Sequence, residues 1–182
     1  MITVKRAEYL SALTCAGVKD VHYYLNGIFF DPEGFVVGTN GHRLFCGKAI
    51  TEGESAIVNV KAKPPTKFEQ VRIDTVLKAA TFLNNEGQTV MTSPVEVIDG
   101  HFPDWRRVAD FKPGKVDAIG VHLPYLADAA KCLKYFDKKA NAIIETQGVS
   151  DAIRLQLSAD AYMLIMPVRM PSPHLNKASI AV

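Results

Sequence analysis

Phe35-Val36-Val37-Gly38-Thr39-Asn40-Gly41-His42-Arg43-Leu44-Phe45 is the stretch on which the fold of this chain turns. Two apolar runs flank Asn40-Gly41, the dipeptide that most favours positive φ at both centres of a type I′ turn. The spacing predicts a β-hairpin with Asn40-Gly41 at its tip, and turn chemistry alone accounts for those two residues. It does not account for Thr39 before the turn or His42-Arg43-Leu44 after it. These bring a hydroxyl, an imidazole, a guanidinium and an apolar side chain to one surface, the make-up of a recognition edge.

Before the hairpin, Ile2 to Lys5 alternates as a short strand. Residues 7–16 follow as a helix with Tyr9, Leu10, Leu13 and Ala16 on one face and Gly17 placed to end it. Val21 to Asp31 is aromatic and β-branched and predicts a strand, closed by the turn signal Asp31-Pro32-Glu33-Gly34. The hairpin itself runs to about Ile50.

After it, Thr51 to Ser55 is a polar turn, Ala56 to Lys61 a strand, and Lys63-Pro64-Pro65-Thr66-Lys67 a loop. Val71-Arg72-Ile73 leads into a predicted helix over 75–84, with Asp74 as N-cap and Val76, Leu77, Ala80 and Leu83 as the buried stripe. Val71 to Phe82 also fits a strand. Thr89 to Ile98 returns to strand, with Pro94 marking an edge or a bulge. Residues 110–115, with Pro113 and Gly114, form the best linker. Val116 to Leu123 predicts a strand, and Pro124 suits the first turn of a helix over 124–137 that buries Leu126, Ala129, Ala130, Leu133 and Phe136. Strands follow at Ala142–Gln147, Ile153–Leu157 and Tyr162–Arg169. Pro171-Ser172-Pro173 opens a tail, 171–182, expected to be mobile.

This is an α+β pattern: a strand–helix–strands unit written about three times, near 1–61, 67–98 and 116–170, with amphipathic helices on one face of antiparallel sheets. The 182 residues are 48% apolar and 22% charged, an ordinary globular composition with enough chain for a real core. A formal charge of +2 is too small to announce a nucleic-acid binder by itself. Cys15, Cys46 and Cys132 lack CxxC spacing and suit reduced thiols. Neither a signal-peptide core nor an apolar run of about 18 residues is present, so a soluble cytoplasmic protein is expected.

Catalytic signals are weak. His42 and Cys46 share one face of a predicted strand, but a Cys–His nucleophile needs hydrogen-bond reach and an orienting third group. The five histidines show no HxH or HExxH spacing, and neither a Walker A loop nor a dinucleotide fingerprint occurs. No metal, cofactor or enzymatic activity is expected.

Three stretches, in order, carry a family resemblance. Asp20-Val21-His22-Tyr23-Tyr24-Leu25-Asn26-Gly27-Ile28, followed by Thr39-Asn40-Gly41-His42-Arg43-Leu44, resembles the second domain of the bacterial sliding clamp, the beta subunit of DNA polymerase III. Ile98-Asp99-Gly100-His101-Phe102-Pro103-Asp104-Trp105-Arg106-Arg107-Val108 resembles the passage from that family's second domain to its third. Tyr162-Met163-Leu164-Ile165-Met166-Pro167-Val168-Arg169-Met170 resembles the family's C-terminal strand. Asn40 stands where the family commonly has an acidic residue, and Trp105 where it has tyrosine.

The resemblance implies a DNA-clamp-like fold, divided into a clamp-like domain at 1–110 and a partial one at 111–170. One chain then supplies about one and a half of the family's three domains, so a family-type ring of two subunits is not expected from it. In the family the three stretches converge on an apolar pocket for short peptide motifs of polymerases and clamp loaders. Carried over position by position, the pocket comprises Leu25, Thr39, Gly41, His42, Arg43, Leu44, Pro103, Arg107, Val108, Leu164, Ile165, Met166, Pro167, Val168, Arg169 and Met170. Leucine, valine and methionine would make an adaptable floor, and His42, Arg43, Arg107 and Arg169 a polar rim. The family also lines its ring with basic helices, a role that Arg6, Lys131, Lys134, Lys138 and Lys139 could fill, although such a stripe is more often simply a solvated helix face. Three readings follow: a sliding-clamp processivity factor on double-stranded DNA, acting as a homo-oligomer; a peptide-binding adaptor or decoy that closes no ring; and, last, a hydrolase using His42 or Cys46.

Overall fold

The computed structural model describes residues 1–139 and 141–169. β1 (Ile2–Lys5) runs straight into α1 (Arg6–Cys15), and a 3-10 turn at Tyr23–Asn26 precedes β2 (Ile28–Asp31). The chain then meanders through β3 (Phe35–Thr39), β4 (Arg43–Lys48), β5 (Ala56–Val60), β6 (Gln70–Asp74), β7 (Ala79–Leu83) and β8 (Thr89–Ile98). A single turn of helix, α2 (Arg106–Ala109), and a long irregular segment lead to α3 (Leu123–Phe136). β9 (Ile143–Glu145), β10 (Ile153–Ser158) and β11 (Ala161–Ile165) follow. Every strand pairing is antiparallel, in the order β1-β6-β7-β8-β5-β2-β3-β4-β11-β10-β9. The α+β expectation holds, and the two long helices, α1 and α3, lie on one sheet face as expected.

The sheet curls back on itself. Thr3 and Ile50 exchange both backbone hydrogen bonds at 2.8 Å, which joins β1 to the chain just beyond β4 and wraps the first eight strands around α1. Tyr9 of α1 fills the centre of the curl, edge-on to Phe68 and Phe82. α1 lies so close to β3 that a Cβ at Gly38 would collide with the Ala12 carbonyl, so only glycine permits this approach.

Strand alternation sorts the side chains into two layers. Val36, Phe45, Met163 and Ile165 face the helices and join Tyr9, Ala12, Cys15, Ala129, Cys132 and Leu133 in the main core. Val37, Leu44, Cys46 and Leu164 point the other way and form a second apolar cluster with Leu25, Ile57, Phe102 and Trp105. β4 pairs with β11 in the register Leu44–Leu164 and Phe45–Met163, so both layers run across the sheet from residues before position 110 to residues after it.

Several expectations are corrected. The predicted helix over 75–84 is a hairpin instead: Ala80 and Phe82 alternate into the core, while Val76 and Leu77 sit exposed at the turn. Asp74 does not cap a helix; its Oδ1 accepts the backbone N–H groups of Val76 and Leu77 and closes the turn. The strand expected from Val21 begins only at Ile28, because Tyr23–Asn26 coil into a 3-10 turn that drops Leu25 into the second cluster. Residues 116–122 form no strand, and the last strand ends at Ile165 rather than 169. Consequently the three-unit repeat fails: residues 67–98 carry no helix, and the strand expected just before α3, over 116–122, is missing. On α1 the buried set is Tyr9, Ser11, Ala12 and Cys15, with Leu13 exposed; on α3 Ala130 is exposed and Cys132 buried.

Pro94 sits where β8 changes partner, its N-terminal half pairing with β7 and its C-terminal half with β5. A missing N–H is tolerated at such a switch.

Candidate functional site

The hairpin tip is one residue further along than the dipeptide predicts. Thr39 pairs with Leu44, and the Asn40 N–H bonds to the Arg43 carbonyl at 3.3 Å, so Gly41 and His42 form the two-residue loop. Gly41 alone has positive φ, at 83°, which removes the type I′ turn. The reason lies in the side chains. Asn40 Oδ1 accepts the N–H groups of His42 (3.1 Å) and Arg43 (3.0 Å). Thr39 Oγ1 donates to the Arg43 carbonyl at 2.7 Å and accepts the Gly41 N–H at 3.0 Å. The Thr39 hydroxyl is therefore spent on the turn, and Thr39 itself is buried.

Beyond the tip, the Met166 N–H bonds to the His42 carbonyl at 2.8 Å, extending the β4–β11 ladder by one step. This brings Met166 beside the hairpin tip, one step beyond the layer in which Leu44 and Leu164 pair and join Leu25. Leu25, Leu44 and Leu164 are buried and form the floor, while Met166, Val168 and Val108 remain exposed. The 102–109 segment crosses the same face. Phe102 stacks on Phe29 with ring centroids 4.6 Å apart, and Trp105 packs against Phe35 at 5.6 Å. A cleft of about 400 Å³ opens beside Phe102, lined by Phe29, Ile57, Ile98 and His101 among others. Pro103 and Arg107 are exposed along this segment, and Pro167 and Arg169 continue the rim beyond β11. Met170 and the 171–182 tail lie outside the described residues.

Arg43 and Ile165 are placed elsewhere. They pair across β4 and β11 on the helix side of the sheet, and Ile165 is wholly buried there. The Arg43 guanidinium meets Asp128 of α3 at 2.9 Å, donates to the Thr14 carbonyl of α1 at 2.6 Å and lies 4.9 Å over the Tyr125 ring. It staples the two helices together under the hairpin tip. His42 leans the same way and stacks on Tyr125 at 6.3 Å.

Residue patterns did not disclose the group that holds the 102–109 segment down. Asp31, read from sequence as part of a turn, is buried; Arg106 reaches it with both guanidinium branches, at 2.6 and 2.8 Å, and the Trp105 indole N–H donates to it at 3.3 Å. Burial alone would push the Asp31 carboxyl up, but Arg106, the Glu33 N–H and Trp105 outweigh it and hold the group below the usual carboxylate range. An aspartate closing an otherwise apolar strand was the available signal; its partner 75 positions away was not.

Cys46 is buried beside Tyr162, and burial pushes its thiol up to about 11. A thiol kept protonated near neutral pH is a poor nucleophile, and the His42 ring lies against Tyr125 of α3 rather than beside Cys46, so the hydrolase reading loses its pair. Among the described residues, no three His, Cys, Asp or Glu side chains are grouped to hold a metal ion, and no helix is long and apolar enough to cross a membrane.

The basic residues considered for DNA contact lie on the helix layer or at its end, away from the apolar floor. Lys131 and Lys134 are exposed on α3, and Lys138 and Lys139 follow in the turn beyond it. Arg6 opens α1 with its guanidinium near the Phe68 and Tyr135 rings, 5.5 and 5.8 Å from their centroids.

No family model matches the chain. The beta sliding clamp of Escherichia coli K12 is 37% identical over 112 residues, and that of Proteus mirabilis 35% over 118. These matches take in 53% and 56% of this chain, which spans only 29% and 30% of those relatives' lengths. Among solved structures, a Helicobacter pylori beta clamp bound to a DNA ligase peptide superposes with a TM-score of 0.60 at 15% identity, over 93% of this chain and 66% of that one. A Pseudomonas aeruginosa sliding clamp with a ligand gives 0.57 at 15% identity, with the same coverage. Over about half its length this chain is therefore similar in sequence to the bacterial beta sliding clamps, and across nearly all of it the fold is theirs.

Proposed function

We propose that this chain is a non-catalytic, clamp-like processivity module of DNA replication that captures short clamp-interacting peptide motifs of polymerase or clamp-loader proteins. The observation that carries the reading is the convergence of Leu25, Leu44, Leu164, Phe102 and Trp105 in one apolar cluster on one sheet face, in a chain that leaves Met166, Val168 and Val108 exposed just beyond β11 and in α2. The Helicobacter pylori clamp of the same fold holds a DNA ligase peptide, which supports a peptide as the occupant. Burying two large apolar side chains of a ligand contributes roughly 1.5–3 kcal/mol each before the peptide is ordered. That suits affinity on the order of micromolar and partners that exchange.

Titrating a labelled Gln-Leu-x-Leu-Phe peptide by fluorescence anisotropy tests the reading. Micromolar binding is expected, weakened about tenfold or more by Met166→Ala, which removes an adaptable wall, and less by Arg169→Ala at the rim. No binding by the wild-type chain would sink the peptide site.

The floor is built from residues of both proposed units, 1–110 and 111–170, so peptide capture needs no closed ring. That keeps the non-ring adaptor or decoy as the second reading. Sedimentation with and without duplex DNA separates the two: a ring requires a defined oligomer that retains DNA, whereas an adaptor binds peptide as a monomer.

A further inference from the structure

We infer that Asp31, Arg106 and Trp105 act as a latch that positions the Pro103–Val108 wall of the peptide groove; the inference rests on the peptide-binding reading above. α2 is one turn long and too short to hold its own shape in water. Its first residue, Arg106, instead makes a two-pronged ion pair with Asp31, and the same guanidinium reaches Glu33 at 3.0 Å. It also lies 4.5 Å over the Trp105 ring, whose N–H shares the same carboxylate.

Asp31 is fixed from behind by the Glu33 N–H at 2.9 Å and by the β2–β3 turn, so the carboxylate is a rigid post. Trp105 is wedged against Phe35, which Lys48 covers at 4.0 Å on its own. The residues meant for a ligand, Arg107 and Val108, come next in the chain and are exposed. The latch thus divides one short stretch into an anchored half and a presented half. Its members touch no ligand themselves; they set where Val108 stands relative to Leu44 and Leu164.

Losing the latch leaves the sheet and both long helices in place but frees the wall, so affinity falls while the fold survives. The test uses Asp31→Asn, Arg106→Gln and the double variant, each checked for cooperative melting, in the anisotropy titration. Trp105, the one tryptophan of the chain, reports the latch directly through acrylamide quenching. Each single variant is expected to weaken the peptide by about tenfold and to raise Trp105 quenching; the double is expected to be no worse than the weaker single, because both changes break one device. If Asp31→Asn yields no folded protein, Arg106→Gln alone decides, since its side chain reaches the pair from solvent. Wild-type affinity or wild-type quenching in the folded variants overturns the latch, as do losses that multiply in the double. Absence of binding by the wild-type chain itself removes the peptide site and the latch's purpose together, a result distinct from binding that the variants leave unchanged.

Discussion

At the scale of single residues, two arginines distant in sequence, Arg43 and Arg106, divide the labour of holding the hairpin region. Arg106 clamps the outer layer to Asp31, and Arg43 clamps the inner layer to α1 and α3. Arg43→Ala leaves the Thr14 carbonyl and the partly buried Asp128 without their partner. It is expected to cost about 2 kcal/mol in denaturant unfolding. In the folded variant, peptide affinity should fall less than in Met166→Ala, because the guanidinium lies on the helix side of the sheet.

Asp31 makes stability depend on pH with a definite sign. Its folded pKa lies below the unfolded value, so its contribution is complete above about pH 4, the ordinary carboxylate range. That contribution is lost as pH falls through the lower folded value. Thermal melts from pH 7 to 3 should show Asp31→Asn less stable than wild type at pH 7, with the gap closing below about pH 4. A gap independent of pH would mean the ion pair contributes nothing through ionisation.

At the scale of elements, close approach decides more than propensity. Gly38 lets α1 lie on β3; Gly38→Ala must push the Ala12 backbone aside and is expected to cost about 3 kcal/mol, read from the shift in denaturation midpoint at unchanged slope. The β6–β7 hairpin depends instead on one side chain. Asp74→Ala removes the acceptor for two turn N–H groups and should cost about 1 kcal/mol, whereas Val76→Ala, at an exposed position, should stay within about 0.5 kcal/mol. Val71 to Phe82 offered both periods in sequence. The strand reading wins because Val71, Ile73, Ala80 and Phe82 complete the core around Tyr9, which a helix at 75–84 could not reach in that register.

At the scale of the whole molecule, the sheet puts two chemically different surfaces on opposite faces. The apolar floor and latch occupy one, the helices with Lys131 and Lys134 the other. If the helix layer meets DNA, as the family resemblance implies for its basic helices, Lys131→Glu with Lys134→Glu should lower duplex affinity. The slope of log K against log salt should fall by about 2. Peptide affinity should not move. Coupled loss of both would show that the faces are not independent; unchanged DNA affinity would leave the stripe a solvated surface.

The sequence by itself determined the class of fold, the hairpin, both long helices and most strands, because alternation, Pro124 at a helix start and the breaks at 31–34 and 63–67 are local signals. It also pointed to the residues of the candidate groove, since Leu25, Thr39, Leu44, Val108, Leu164 and Met166 stand in recognisable stretches. Only the tertiary structure decided which way each side chain faces. Register pairs Leu44 with Leu164 and thereby turns Arg43 and Ile165 to the helices, although all four lie in the same motifs. It alone joined Asp31 to Arg106, because an ion pair spanning 75 positions leaves no periodic trace. And it replaced an expected helix by a hairpin, since the space around Tyr9 is set by strands that meet only in the folded chain.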